Sequence, residues 1–400
     1  MKKIKLLSFI LAVLMCMSVL VGCMPNGNEM TGEKTSETKD LKVALVTAAA
    51  GQNDNGYNQA AVKGLEEAKK EFGVTTKIVD KPDDIPGAIE ALAADGYNLI
   101  FTLEYDFDAL IKGVGGKTPI ATAYPNTTFV VFNDNPNVDE MGKTMHQNVV
   151  SVLFDVHESS FLAGALSVLI NENGEKLFSP ETHSLTTGDK GRKIGFLGGT
   201  SSNGITVFSY GFAEGINYMA KELSKNYTLY TDYNAGFVDS AAGATKAATY
   251  YSDGANIVCT VAGSVGDGVD SKAKELKKLS IQVDADKDAS QSGYILTSIL
   301  KNTDVPVKEI IKHYKNGTMD KVKGKAISYS LSSGATGITN LSEIEKSITT
   351  DGKETFENIK EKLKEIEKKI SDGTIKVTNS QAGEKIDTSK LTNLKMANAQ

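Results

Sequence analysis

Residues 41–72 read LKVALVTAAAGQNDNGYNQAAVKGLEEAKKEF, and this stretch decides the fold. The apolar run at 43–46 is typical of a buried parallel strand. After a loop of small and amide residues, apolar side chains at three- and four-residue spacing predict a helix that begins near Tyr57. In an open α/β sheet, ligands bind at the carboxyl ends of the strands, so this loop predicts one wall of a binding cleft. The candidate residues of this wall are Asn53, Asp54, Tyr57 and Asn58.

Alternating strand and helix patterns continue along the chain in two successive arrays. The first array extends to an apolar strand at 129–132, and the second begins with another at 193–198. Such alternation favours parallel sheets flanked by helices. Two arrays therefore predict an α/β protein of two lobes with a cleft between them, which is a preferred place for ligands. Residues 294–300 are expected to be helical, and an amphipathic stripe at 356–370 predicts a helix near the C-terminus.

Composition and motifs narrow the classes of function. The chain has 400 residues, enough for two or more domains, and its net charge of −6 without a basic stripe argues against binding nucleic acid. Its four histidines have no metal-ligand spacing, and no serine nucleophile elbow occurs, so we expect no metal, no cofactor and no enzymatic activity. The chain contains a single arginine. Since arginine forks usually clamp carboxylates and phosphates, a neutral ligand is favoured.

The N-terminal residues have the features of an export signal. A lysine-rich start is followed by an apolar core at 6–20, which is short for a membrane span, and then by LVGC at 20–23. This ending resembles the lipobox of bacterial lipoproteins, in which the signal is cut before the cysteine and the cysteine is acylated. It predicts a signal peptide at 1–22, a palmitate-type anchor on Cys23 and attachment to the outer face of the cell membrane. The alternative is a secretory signal with an incidental cysteine.

Several motifs occur in an order that resembles one family. In chain order they are NDNGYNQAAVKGLEEA, ESSFLAGALS, KIGFLGG, VAGSVGDG, VDADKD and GYILTSILKN. Together with the lipobox they resemble the basic membrane protein (BMP) family, the substrate-binding lipoproteins of ATP-driven (ABC) importers, several of which bind purine nucleosides. The likeness covers residues 41–377. It implies a type I periplasmic-binding-protein-like fold with two lobes, each a parallel sheet flanked by helices, and a cleft between them.

The resemblance also implies lobe boundaries, since the family's fold crosses its hinge several times. Residues 23–40 are polar and without periodicity, which predicts a flexible tether ahead of the first lobe. In chain order, the expected segments are the signal peptide 1–22, the tether 23–40, the first lobe 41–155 plus 285–324, the second lobe 156–284 plus 325–350, a helix and strand at 351–377 and a loose tail at 378–400.

The resemblance further implies roles for individual cleft residues. Tyr57 and Phe237 match the aromatic residues that take the two faces of the base. Asp284 matches the acid that holds the ribose hydroxyls, and Lys301 matches the lysine beside it. Gly263 lies where the backbone of a loop meets the ligand. Carboxylate, ammonium and two aromatic faces together suit a flat heterocycle joined to a sugar.

On the base side the chain departs from the purine-binding members. Those members carry one aspartate where this chain has Ala48 and another where it has Asn133. Carboxylates at these places would accept N–H groups of the base, whereas Ala48 cannot accept and Asn133 offers a neutral amide. Asn58, by contrast, matches the asparagine that follows the family's first aromatic residue. The resemblance therefore leaves the base preference open.

Together these observations predict a lipid-anchored receptor that traps a neutral nucleoside, with a purine nucleoside as the first choice, by closure of its lobes. Its expected partners are this small-molecule ligand, an ABC permease that receives the ligand, and the membrane that holds the anchor at Cys23. One alternative is a receptor for a sugar or another small neutral solute. Another, of a different class, is a lipoprotein sensor or adhesion protein.

Overall fold

The computed structural model of the chain describes residues 41–104 and 106–397. The predicted signal peptide, the lipidation site Cys23 and the tether lie outside these residues. Within them, none of the helices combines the length and the apolar character that crossing a membrane requires.

The described residues form thirteen strands and eleven α-helices. The strands are β1 (Lys42–Val46), β2 (Thr75–Val79), β3 (Leu99–Thr102), β4 (Thr128–Phe132), β5 (Val149–Phe154), β6 (Lys193–Gly198), β7 (Tyr227–Asp232), β8 (Ile257–Val261), β9 (Leu279–Asp284), β10 (Ile295–Lys301), β11 (Ala326–Tyr329), β12 (Thr336–Ile338) and β13 (Leu394–Ala397). The helices are α1 (Tyr57–Phe72), α2 (Ile85–Ala94), α3 (Asp108–Ile111), α4 (Ile120–Ala123), α5 (Val156–Leu177), α6 (Asn203–Glu222), α7 (Ser240–Ser252), α8 (Val265–Glu275), α9 (Asp304–Lys315), α10 (Ser342–Glu345) and α11 (Lys353–Ser371).

Each of two lobes is built around one sheet. The first sheet has six strands, all parallel, in the order β11-β5-β4-β3-β1-β2. The second has seven strands in the order β12-β10-β9-β8-β6-β7-β13, of which only the short edge strand β12 runs antiparallel. The predicted α/β class, with two lobes each formed by a largely parallel sheet and flanking helices, is confirmed.

Burial on both faces explains why the strands are apolar along their length. All five residues of β4 and of β8 are buried, as are four of the five in β1. Side chains that point to either face of these strands therefore leave water. Helix α1 presents the predicted apolar stripe, with Ala61, Leu65 and Ala68 buried. It ends at Gly73, whose φ of 64° suits the left-handed conformation that closes a helix.

Helices α5 and α6 pack closely because glycine removes side chains from their contact. A Cβ atom on Gly211 would lie 2.1 Å from the carbonyl oxygen of His157, and one on Gly215 would lie 2.0 Å from that of Phe161. Any larger residue would push the two backbones apart. This pairing fixes the position of α6, which brings Phe208 to the cleft between the lobes.

Two strands lie in the opposite lobe from the one expected. Residues 294–300 were expected to be helical and to belong to the first lobe, but β10 is a strand that pairs with β9 in the second sheet. Conversely, β11 falls in the expected second lobe and pairs with β5 in the first sheet. A short apolar run fits a helix and a buried strand equally well, and distant pairing partners decide which sheet it joins. Helix α9 does lie on the first lobe, where the Lys308 ammonium donates to the Glu67 carboxylate at 3.0 Å.

The C-terminal residues are more ordered than expected. Helix α11 occupies the predicted amphipathic stretch and packs its buried face against α5. The strand expected before residue 377 is absent from the described residues there, and the tail expected to be loose contains β13. This strand pairs with β7, which would otherwise expose its backbone N–H and C=O groups as a sheet edge. Leu391 and Leu394 are buried in the same region.

Candidate functional site

A cavity of about 170 Å³ lies between the two lobes. It forms at the carboxyl ends of strands, because residues that follow β1, β3 and β8 and the last residues of β9 and β10 all contribute to it. The predicted site residues that line it are Asp54, Tyr57, Asn58, Phe237, Gly263, Asp284 and Lys301. Two predicted residues do not line it, because Asn53 is exposed on the outside of its loop and Asn133 is buried behind Tyr57.

Asp54 and Asn58 shape the cavity wall through hydrogen bonds within the protein. The Asp54 carboxylate accepts from the backbone N–H groups of Gly56, Asn58 and Gln59 and from the Asn58 amide, at 2.8–3.0 Å. It thereby satisfies the free N–H groups at the start of α1. The Asn58 oxygen accepts from the backbone N–H of Ala48 at 2.9 Å. These two side chains hold the loop after β1 against the helix.

Tyr57 is fixed by hydrogen bonds at its hydroxyl group. The hydroxyl donates to the carbonyl of Leu103 at 3.2 Å and accepts from the amide of Asn133 at 2.8 Å. Asn133 has a φ of 69°, a conformation that asparagine tolerates better than most residues. Its Oδ1 is buried and finds no donor among the described residues. Asn133 therefore positions the aromatic ring and makes no direct wall of the cavity.

Phe237 is seated on the second lobe by two glycines. A Cβ atom on Gly199 would lie 2.4 Å from the Phe237 ring, so only glycine leaves room for the ring there. Gly263 has a φ of 53°, and a Cβ atom on it would lie 2.8 Å from the Phe237 carbonyl oxygen. That oxygen accepts from the backbone N–H of Ser264 at 2.9 Å. The glycine-rich run that begins at Gly263 thus brings backbone and aromatic ring to the same side of the cavity.

Lys301 ends β10 and is 3% exposed. Its ammonium nitrogen lies 5.2 Å from the ring centre of Tyr57 and 5.5 Å from those of Phe154 and Phe208. Three aromatic rings therefore surround the charge. Burial lowers the pKa of Lys301 to about 8, and the negative charge of Asp284 opposes the shift. Within the described residues the ammonium makes no hydrogen bond and no ion pair.

Asp284 ends β9 with a φ of 75°, in the left-handed region that aspartate adopts only at special positions. Burial raises the pKa of Asp284, while the positive charges of Lys301 and Lys287 oppose the rise. No N–H or O–H group of the described residues donates to this carboxylate. A half-buried carboxylate without a hydrogen-bond donor is costly, so this position favours a ligand that supplies donors.

Strand pairing places Asp284 and Lys301 side by side. Strands β9 and β10 are parallel neighbours in which Asp284 lies opposite Leu300, the residue before Lys301. One group can only accept hydrogen bonds when ionised, and the other can only donate. A ligand with neighbouring hydroxyl groups can therefore donate to the carboxylate and accept from the ammonium at once. No group of three or more His, Cys, Asp or Glu in the described part of the chain is arranged to hold a metal ion.

Several lining residues escaped the sequence analysis. Glu104 lies two residues after the end of β3, so the rule that ligands bind at strand ends could have identified it. Phe208 and Phe154 enclose the lysine, but each lies in an ordinary apolar run, and nothing in those runs sets it apart from core. The remaining lining residues, from both lobes, are Ala48, Ala49, Ala50, Gly204, Ile205, Val261 and Ala262.

Two parallel-sheet lobes with a cavity at their strand ends are the architecture of the type I periplasmic-binding-protein-like fold. A solute-binding protein of an ABC transporter from Aeropyrum pernix has this fold, with a TM-score of 0.69 and 20% sequence identity over 88% of this chain and 95% of that one. The family model of PnrA-like ABC transporter substrate-binding proteins matches residues 41–381, and the chain belongs to this family. It is thus an ABC transporter substrate-binding protein.

Two relatives show how the likeness extends along the chain. The nucleoside-binding protein BmpA of an ABC transporter in Lactococcus lactis is 30% identical over 340 residues, which cover 79% of this chain and 86% of that protein. A CD4+ T-cell-stimulating antigen of Listeria monocytogenes is 28% identical over 389 residues, which cover 92% of this chain and 96% of that protein.

Proposed function

We propose that this protein captures a neutral nucleoside between its lobes and delivers it to an ABC permease, while a lipid on Cys23 holds it at the outer face of the cell membrane. One observation carries the proposal. Asp284 and Lys301 face the same cavity, and neither charge has a hydrogen-bonding partner among the described residues. The nucleoside-binding relative supports the same class of ligand.

The sugar of the nucleoside occupies the end of the cavity at Asp284 and Lys301. One ribose hydroxyl donates to the carboxylate and its neighbour accepts from the ammonium. Each charge-assisted hydrogen bond contributes about 1.5–3 kcal/mol. The negative charge of Asp284 and the hydroxyl oxygen both favour the protonated form of Lys301. The buried ammonium of Lys301 and the half-buried carboxylate of Asp284 gain hydrogen-bond partners when the ligand enters.

The base lies between the lobes. Tyr57 belongs to α1 on the first lobe and Phe237 to the loop after β7 on the second, and both line the cavity. Stacking on an aromatic ring contributes about 1–3 kcal/mol for each base face. Since the ligand contacts both lobes, it stabilises the closed arrangement over the open one. Closure then provides the form that a permease distinguishes from the empty receptor.

The first test identifies the ligand. The chain from residue 23, with Cys23→Ser so that it stays unacylated, is purified and denatured, and released small molecules are identified by mass spectrometry. The same protein is titrated by calorimetry with adenosine, guanosine, inosine, cytidine, uridine, ribose and glucose. We expect one nucleoside or a few to bind with one site per chain. Binding of glucose or ribose alone would instead support the receptor for a sugar, because Asp284 and Lys301 recognise hydroxyl groups and no base.

The second test concerns the carboxylate. Asp284→Asn removes the charge and is expected to weaken nucleoside binding about 10- to 100-fold, the loss of one charge-assisted hydrogen bond. Asp286→Asn is the matched control, because Asp286 is exposed and lines an outer groove and not the cavity. Equal affinity in both variants would refute the assignment of the sugar to Asp284.

Delivery and anchoring are tested in cells. Cys23→Ser is expected to abolish incorporation of a labelled fatty acid and to release the protein from the membrane fraction. Deletion of the protein is expected to lower uptake of the nucleoside that calorimetry identifies. A signalling change with unaltered uptake would point to the lipoprotein sensor instead.

A further inference from the structure

The C-terminal residues make a contact between the lobes to which the proposed function gives no role. Residues 378–384, here called the tail loop, lie between helix α11 and strand β13. Asn379 shapes this loop, since its side-chain oxygen accepts from the backbone N–H groups of Gln381 and Ala382 at 3.0 and 3.3 Å. The Glu384 carboxylate accepts from the backbone N–H of Asn379 at 2.7 Å. The tail loop is thus a turn held in shape by its own hydrogen bonds.

The tail loop is fixed to helix α6, which packs on β6 and β7 of the second lobe. The backbone N–H and the hydroxyl of Thr378 donate to the Glu214 carboxylate at 2.9 and 2.6 Å. Ser380 is 2% exposed, and its hydroxyl accepts from the Thr206 hydroxyl and donates to the Asn203 carbonyl, both at 3.0 Å. Because four hydrogen bonds join the tail loop to α6, the loop moves with the second lobe.

One side chain of the tail loop reaches the first lobe. The Gln381 amide donates through Nε2 to the backbone carbonyl of Asn133 at 2.7 Å. Asn133 directly follows β4, and its backbone N–H donates to the Val152 carbonyl of β5 at 2.8 Å. The bond to Gln381 therefore joins the second lobe to the first at the carboxyl edge of the first sheet. The Gln381 side-chain oxygen is buried and finds no donor in the part of the chain that the structure describes, so the amide nitrogen makes this contact.

Asn133, which Gln381 holds, in turn holds the tyrosine of the cavity. The side-chain amide of Asn133 donates to the Tyr57 hydroxyl at 2.8 Å, while the backbone carbonyl of Asn133 accepts from Gln381. A shift of the backbone at Asn133 would move this donor relative to the hydroxyl, and hydrogen bonds weaken steeply with poorer geometry. Since the tail loop moves with the second lobe, a motion that parts the lobes breaks the contact with Asn133. The position of the Tyr57 ring is thus linked to the position of the second lobe.

We propose that Gln381 is a latch between the lobes, which stabilises the closed arrangement and, through Asn133, positions Tyr57. Gln381 is a positioning residue, since it does not line the cavity that receives the ligand. Opening exchanges its bond to Asn133 for hydrogen bonds with water. The net gain from one such bond favours the closed form by a factor of about two to ten. The inference goes beyond the proposed function, because it applies to any solute that binds between the lobes.

The first measurement follows the distance between the lobes in the ligand-free protein. The chain from residue 23 with Cys23→Ser keeps one cysteine, Cys259, which is fully buried. Spin labels are attached to Glu90→Cys in α2 of the first lobe and to Thr245→Cys in α7 of the second, because both positions are exposed. Pulsed electron paramagnetic resonance then gives the distribution of distances between the two labels.

Gln381→Met removes the donor and keeps the length of the side chain. We expect it to raise the ratio of open to closed protein about two- to tenfold. Gln381→Glu places a carboxylate oxygen beside the Asn133 carbonyl oxygen and is expected to raise the ratio further. Lys385→Met is the matched control, because Lys385 is exposed and makes no hydrogen bond or ion pair within residues 41–104 and 106–397. An unchanged distribution in Gln381→Met would overturn the latch, whether or not the melting temperature falls.

A double variant tests whether the latch acts through Asn133. Tyr57→Phe removes the hydroxyl that the Asn133 amide holds. We expect Gln381→Met to weaken binding about two- to tenfold by itself and less in the Tyr57→Phe background. Calorimetry with adenosine, guanosine and inosine measures this, and each nucleoside that binds should lose the same factor, since Gln381 lies outside the cavity.

Additive effects of the two substitutions, or an effect confined to one nucleoside, would overturn the positioning of Tyr57 by Gln381. If no nucleoside binds the unaltered protein, the proposed function falls, while the distance between the spin labels still decides whether Gln381 is a latch.

Discussion

Ligand binding is expected to weaken as the pH rises above 8, because the ammonium of Lys301 then loses its proton. The pKa of Lys301 in the ligand-free protein is lowered to about 8 by burial. A ligand oxygen that accepts from the ammonium binds the protonated form, so the bound state takes up a proton wherever the free state has lost it. At pH 9 about one site in ten is protonated, and the affinity is expected to be about tenfold lower than at pH 7.

Calorimetry between pH 6.5 and 9.5, in two buffers of different ionisation enthalpy, measures both the affinity and the proton uptake. Uptake is expected to be near zero at pH 6.5 and to approach about one proton at pH 9. Lys301→Gln should lose the alkaline decline and bind weakly throughout. Lys287→Gln should keep the decline, because Lys287 lines the outer groove and not the cavity. An affinity that stays constant from pH 7 to 9.5 in the unaltered protein would refute the contact between this ammonium and the ligand.

Three further predictions concern stability and positioning. Lys301→Met is expected to raise the free energy of unfolding of the ligand-free protein by up to about 3 kcal/mol at pH 7. This gain is expected to disappear as the pH rises from 8 to 10.5, because the lysine in the folded protein has then lost its proton while the lysine in the unfolded chain still holds one. Denaturant unfolding at several pH values measures the difference. Asn133→Ala and Asn133→Gly are both expected to weaken ligand binding about three- to tenfold, because the Tyr57 hydroxyl loses a hydrogen bond. The Asn133→Ala variant is expected to be less stable than Asn133→Gly by about 1 kcal/mol, because φ at this position is 69°. Equal stability of the two variants would contradict backbone strain at residue 133. Gly263→Ala is expected to lose more thermal stability than Gly317→Ala, which has a similar φ but no atom within 4 Å, and only the former should impair binding.

Local sequence patterns predicted the individual strands and helices better than they predicted which strands pair with each other. The apolar run of β1 and the apolar stripe of α1 are patterns among neighbouring residues, so the sequence was sufficient to identify both elements. Strand β10 was mistaken for a helix because its short apolar run carries no clear period, and the lobe boundaries taken from the resemblance assigned it to the other lobe. The order of strands in a sheet depends on pairings across the whole chain, which a local pattern does not contain.

Some site residues could likewise be predicted from the sequence, and others could not. Residue types and family resemblance predicted that Asp284 and Lys301 belong to one site, and the pairing of β9 with β10 brings them together. Nothing in the sequence indicated that Asn133 would point at the hydroxyl of Tyr57 and away from the cavity, since this depends on a single backbone angle at the end of β4. Likewise, the helix-capping role of Asp54 follows from the local geometry of its loop.

Strand β11 is synthesised long after the other strands of the first sheet, and this order affects folding during translation. Strand β5 ends at residue 154, but its outer neighbour spans residues 326–329, so the buried strand β5 stays at the edge of the first sheet until most of the polypeptide has emerged. An unpaired edge of buried, apolar strand is a template for intermolecular pairing. We therefore expect nascent chains and fragments that stop before residue 326 to aggregate more readily than the whole chain. For the same reason, neither lobe can be obtained by cutting the gene once.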